Sequence, residues 1–174
     1  YPGGTIHDSS QEGYSFTHNF LSELGGYESH SSEQNFLSNF FFNMSMFVFA
    51  LVGIAFLWIP QLFREDALNW YLSCLGSFFL FIGTLFFAGV GLTPYDLYLD
   101  IHIFFALNAF RLMVPGCLCF LIVLLRSNVQ KRYAFIAGFY LLSVVAYVCY
   151  QLLSTGNPFE DINEMIWQAT IQKI

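Results

Sequence analysis

The chain has 174 residues, of which 56% are hydrophobic and only 10% charged, a balance that leaves too little polar surface to clothe a soluble fold. Its net charge of −6 comes from acids gathered in the polar segments, and no basic stripe is present to neutralise phosphates, which excludes nucleic acid as a partner. Lipid is the solvent this composition requires, and the expected class is an all-α integral membrane helical bundle.

Residues 1–35 are rich in Ser and Gly and contain no Lys or Arg. The pattern predicts a short amphipathic helix over about residues 15–24. Ser15 is its cap, Phe16, Phe20, Leu21 and Leu24 share its apolar face, and Gly25-Gly26 end it. His18 with Ser22, and Asn19 with Glu23, stand four apart and form an opposite face read as solvated.

A transmembrane bundle is expected over residues 36–174. Its spans are placed at about 40–59, 68–90, 101–125 and 133–153, each of roughly the 20 residues needed to cross lipid, with another helix begun at about residue 164. Pro60 ends the first span, and Thr93-Pro94-Tyr95-Asp96 has the form of a helix start, with Thr as cap and Pro at the first helical position. In the second helix Ser73, Ser77, Gly76 and Gly83 make a stripe of small residues for close packing, with Asn43 and Gly53 as further helix contacts.

The cations orient the bundle. Arg64 lies in the connection at 60–67, and Arg126, Lys131 and Arg132 lie in or beside the one at 126–132, so both connections are expected to be cytoplasmic. Residues 1–35, 91–100 and 154–163 carry acids without Lys or Arg and are expected outside the cell. An outward first segment calls for a helix before Tyr1, which gives an expected total of six or more.

Arg111 lies near the centre of the third span, where a cation costs at least ~2.5 kcal/mol. Asn108 is one turn before it, Pro115 four residues after it, and Gln172 and Lys173 make the final helix unusually polar. One reading joins Arg111, Asn108, Gln172 and Lys173 around a polar cavity that admits an anionic lipid headgroup or a small solute. The other has these groups satisfied by carbonyls within the bundle.

On the outer side, Ser22, His18, Asp96, Asp100 and His102 are candidates for a hydrolytic site, with zinc as the cofactor they would suit. No HExxH or other paired-ligand spacing fixes them relative to one another, so the leading expectation is no metal or cofactor. Cys74, Cys117, Cys119 and Cys149 all fall in apolar runs and are read as buried packing residues without a disulfide.

The runs Tyr1-Pro2-Gly3-Gly4, Gly13-Tyr14-Ser15 and Asn19-Phe20-Leu21-Ser22-Glu23-Leu24-Gly25 are distinctive, as are Phe42-Asn43, His102 and Gln172-Lys173. Together they resemble a bacterial and archaeal membrane family, domain of unknown function 998, which is more distantly similar to the damage-regulated autophagy modulator family. The resemblance implies a multi-helix bundle in a prokaryotic cell membrane with the first long loop outside, and no established reaction. The leading functional class is thus a non-enzymatic protein that binds or moves a lipid or small polar solute. The alternatives are an outer-face metal-dependent lipid hydrolase and a structural or sensory membrane subunit.

Overall fold

Polar segments break the apolar runs into separate helices, and the computed structural model describes residues 1–173 accordingly. The helices are α1 (Phe36–Gly53), α2 (Ala67–Leu92), α3 (Leu99–Arg126), α4 (Lys131–Leu153) and α5 (Ile162–Ile171). Among the described residues there is no strand, only isolated bridges between Gly3 and Glu12 and between Glu28 and Gln34. The chain is an all-α helical bundle, with four helices among the described residues long and apolar enough to cross a membrane.

Packing follows chain order: α1 lies on α2, α2 on α3 and α3 on α4. Within its most apolar stretch α2 is 44% buried, against 11% for the first span and 6% for α4. The outer helices therefore turn most of their apolar surface away from the protein. Phe135 and Phe139 of α4 are 77% and 70% exposed, a distribution that fits lipid and not water.

Backbone approach is closest where side chains vanish. A Cβ on Gly53 would lie 1.9 Å from Thr84 Oγ1, and one on Gly76 would lie 3.1 Å from the Gly116 carbonyl oxygen. Gly83 is different: the same atom would meet the Ala109 carbonyl at 3.4 Å, an ordinary contact, so close packing does not demand glycine there. Ser73 and Ser77 are buried, and Ser77 donates to the Phe56 carbonyl at 2.6 Å. That bond spans α2 to the first span, whose regular helix stops at Gly53 and continues as 3-10 turns to Phe63. Pro60 has no N–H for a helical ladder, and Ser77 supplies a donor to this irregular backbone.

Three local expectations are corrected. The helix placed at 15–24 is a single turn, closed by Asn19 N–H on the Ser15 carbonyl, followed by a 3-10 helix at Leu21–Gly25. Phe20 between them is extended, because the Asn19 side chain binds the Ser15 and Gly4 backbones instead of leaving a helix to continue. Thr93-Pro94 does not begin α3: Pro94 closes its own turn with Leu97 and Tyr98, and α3 starts at Leu99. Cys149 is exposed on α4 and Cys74 half-buried, while Cys117 and Cys119 are buried, and all four thiols are free.

Candidate functional site

The three acid-bearing polar segments meet at one end of the bundle. The start of α1 grips the segment before it: at the N-cap, Asn35 Nδ2 donates to the carbonyls of Glu23, Leu24 and Gly26, and in the first turn Ser38 donates to Leu24 and Asn39 to Gly25. From the α2–α3 connection, the Asp96 carboxylate accepts the N–H groups of Tyr27 and Glu28 at 2.8 and 3.1 Å. His7 Nε2 contacts the Pro158 carbonyl at 2.9 Å. Lys173 donates to the Phe16 and Asn19 carbonyls, with its ammonium about 5 Å from the rings of Tyr14 and Phe16. Residues 1–35 are thus a folded cap tied to α1, the α2–α3 turn and the region of α5.

Under the cap lies a cavity of about 510 Å³. One part is apolar, formed on α3 by Leu99, Ile103, Ala106 and Leu107 with Tyr147 of α4. The other part carries Ser22, Glu23 and His30 from the cap, Tyr95 and His102, and Gln151 of α4. The wall between α4 and α5 is pinned by Glu164, whose Oε1 accepts from Ser154, Gln168 and Tyr150. These donors, the Ser154 hydroxyl first, hold the Glu164 carboxyl below its usual range.

The polar part is built from buried groups. Glu23 is 2% exposed; its Oε2 accepts from Asn19 Nδ2 at 2.5 Å and its Oε1 lies 3.4 Å from His30 Nε2. The Asn19/Glu23 face, read from sequence as solvated, is therefore the most enclosed part of the cap, because the cap folds over it. Burial pushes the phenol of Tyr1 up to about 12, and burial together with the Glu23 charge pushes Tyr14 and Tyr95 higher still. His102 is 4% exposed. Its Nδ1 faces the Thr93 carbonyl at 2.6 Å, and its Nε2 has no partner in the protein. A carbonyl only accepts, so Nδ1 carries the proton and Nε2 of the neutral ring is an acceptor.

Of the residues singled out from sequence, Ser22, Asp96, His102 and Gln172 line this cavity. Asp96 is occupied with the cap backbone, which takes it away from acid–base work. His18 stays local, with Nδ1 2.8 Å from Thr17 Oγ1, and Asp100 is exposed on the first turn of α3. Asn108 bonds its own helix at the Phe104 carbonyl. Arg111 has its Nε buried without a partner in the protein, and neither it nor Lys173 lines the cavity. No group of three His, Cys, Asp or Glu among the described residues is arranged to hold a metal ion.

Glu23, Tyr95 and Gln151 were not among the sequence candidates, and His30 was weighed only as one of the outer-side histidines that could serve zinc. The four-residue spacing of Asn19 and Glu23 was the one available signal, since it is this pair that bonds in the buried pole.

No curated protein and no solved structure matches the chain. A family model does match, over residues 3–162, and the chain belongs to that family, described as Protein of unknown function (DUF998).

Proposed function

We propose that this multi-pass membrane protein binds a membrane lipid in the cavity beneath the cap, with the cap on the outer side of a prokaryotic cell membrane. One observation carries the reading: a single cavity joins an apolar wall of α3 and α4 to a pole holding His102, 4% exposed and unpartnered at Nε2. Pockets of a few hundred Å³ with mostly apolar walls and a few convergent polar groups are the usual form of a small-molecule site. The apolar wall belongs to a span of the membrane, so an acyl chain reaches it without crossing water. The pole then takes the headgroup. Hydrolysis at Ser22 needs groups this site does not assemble: Ser22 has no histidine bonded to it, and the Asp96 carboxylate is engaged by the cap.

A second reading rests on Arg111, whose buried, unpartnered Nε suits an anionic ligand at mid-depth. One experiment separates them. The full chain is purified in mild detergent and scored by native mass spectrometry for retained lipid, alongside Ala106→Trp and Arg111→Leu. Loss in Ala106→Trp, which fills the cavity, with retention in Arg111→Leu supports the cap cavity. The reverse pattern supports the mid-depth site and refutes the first reading.

A further inference from the structure

We infer that the cavity selects a lipid with an uncharged polyhydroxyl headgroup; the inference rests on the lipid reading above and specifies its ligand. No Lys or Arg lines the cavity, whereas the carboxylates of Glu23 and Asp96 do. A phosphate monoester would meet negative charge and no cation, and desolvating it there is unfavourable. The groups that await a partner point the same way: His102 Nε2, His30 Nε2 and Gln151 Oε1 are buried, unpartnered and in the cavity wall; the amide oxygen accepts hydrogen bonds, as does an imidazole nitrogen that carries no proton.

A cationic headgroup answers these features less well. Glu23 already accepts from Asn19 Nδ2 at 2.5 Å, and the His30 ring stands 3.4 Å from its other oxygen, so an ammonium would have to displace groups already in place. The pole also holds Ser22, whose hydroxyl can donate as well as accept, and Tyr95, whose O–H is directed to the Glu28 carbonyl and whose oxygen can still accept. An ammonium only donates and a phosphate monoester mainly accepts, whereas a hydroxyl does both. Several hydroxyls on one headgroup match the mixture of His102, Gln151, Ser22 and Tyr95 with no buried charge left over. This is also the polarity in which leaving His102 Nε2 unpaired would carry its full desolvation penalty, so the headgroup that fills it gains selectivity.

The test uses the full chain in detergent with equimolar glycosyl diacylglycerol and phosphatidic acid of matched acyl chains, and with a free methyl glycoside in parallel. Bound species are read by native mass spectrometry. The glycosyl lipid is expected to be retained about tenfold over phosphatidic acid, and His102→Phe to remove about that factor, as for one hydrogen bond to a buried acceptor. The wild-type preference stands on its own if the variant fails to fold. Equal retention of the two lipids, or preference for phosphatidic acid, overturns the headgroup inference and leaves the lipid site intact. Retention of neither lipid overturns the lipid site itself. Free glycoside bound as tightly as the lipid upholds the hydroxyl pole and overturns the lipid reading.

Discussion

Replacing Asn35 with alanine tests whether the N-cap residue of α1 holds the cavity's polar pole in place. Asn35 is 2% exposed and its Nδ2 serves the carbonyls of Glu23, Leu24 and Gly26 at 3.4, 3.1 and 3.0 Å. Two of these acceptors keep another donor, Gly26 N–H on Glu23 and Ser38 Oγ on Leu24. The Gly26 carbonyl loses the shortest of the three bonds. One buried acceptor left unpaired costs about 1–3 kcal/mol, and two weakened bonds add a fraction of that, so a local loss of about 2 kcal/mol is expected. Ser38→Ala, whose acceptor keeps Asn35, should cost under about 1 kcal/mol. Amide hydrogen exchange reads the effect where it arises, because local opening is measured segment by segment. Exchange across residues 21–26 should speed up by about thirtyfold, the factor for 2 kcal/mol, while the α2 and α3 interiors stay unchanged. Unaltered exchange in the 21–26 segment of Asn35→Ala, or an equal effect from Ser38→Ala, would refute the reasoning.

Gly53→Ala places a Cβ 1.9 Å from Thr84 Oγ1 and 2.7 Å from Thr84 Cβ, so α1 must move off α2 at an overpacking cost of about 1–3 kcal/mol or more; Gly83→Ala, with ordinary contact distances, should be near neutral, and unfolding in detergent compares the two. Burial brings Lys173 down to about 8 from its usual 10.5. Below pH 8 it is charged both folded and unfolded, and between 8 and 10 folding releases its proton, so stability should rise with pH across that window. Thermal unfolding of the wild type should show this rise and Lys173→Met should lose it; above pH 10 the raised phenols of Tyr1, Tyr14 and Tyr95 act in the opposite direction.

The spans were legible because lipid imposes a local rule: a helix crossing it must be apolar over a continuous run, and each run lies within one stretch of sequence. The cap obeys no such rule. Its fixing contacts join Tyr27 to Asp96, His7 to Pro158 and Phe16 to Lys173, pairs far apart in sequence and made largely to backbone, which carries no side-chain signature. The same cause explains the uneven reading of the site. His102 and Ser22 stood out as polar groups at helix or loop boundaries, but Glu23 looked like one more surface acid until the cap folded over it. Lys173 read as a mid-depth cation because nine helical residues separate it from Glu164, whereas α5 ends at Ile171 and Lys173 turns to the cap.

Packing along α3 shows why the cavity stops short of Arg111. Its α3 wall ends at Leu107. At the next residues the space between α3 and α4 is filled: the Phe110 ring meets Tyr147 edge-on at 4.7 Å, and the Tyr140 hydroxyl reaches Met113 Sδ at 3.2 Å. Below that, Leu80, Met113, Cys117 and Val144 form a shared core of α2, α3 and α4. Arg111 is one helical turn past Leu107, ~6 Å further along the axis, and so level with this floor. A ligand entering from the cap meets the acceptors of His102 and Gln151 before it meets any cation, and the Phe110–Tyr147 pair closes the way beyond. The proposed binding role needs such a closed floor, and truncating the Phe110–Tyr147 pair is expected to deepen the cavity toward the level of Arg111.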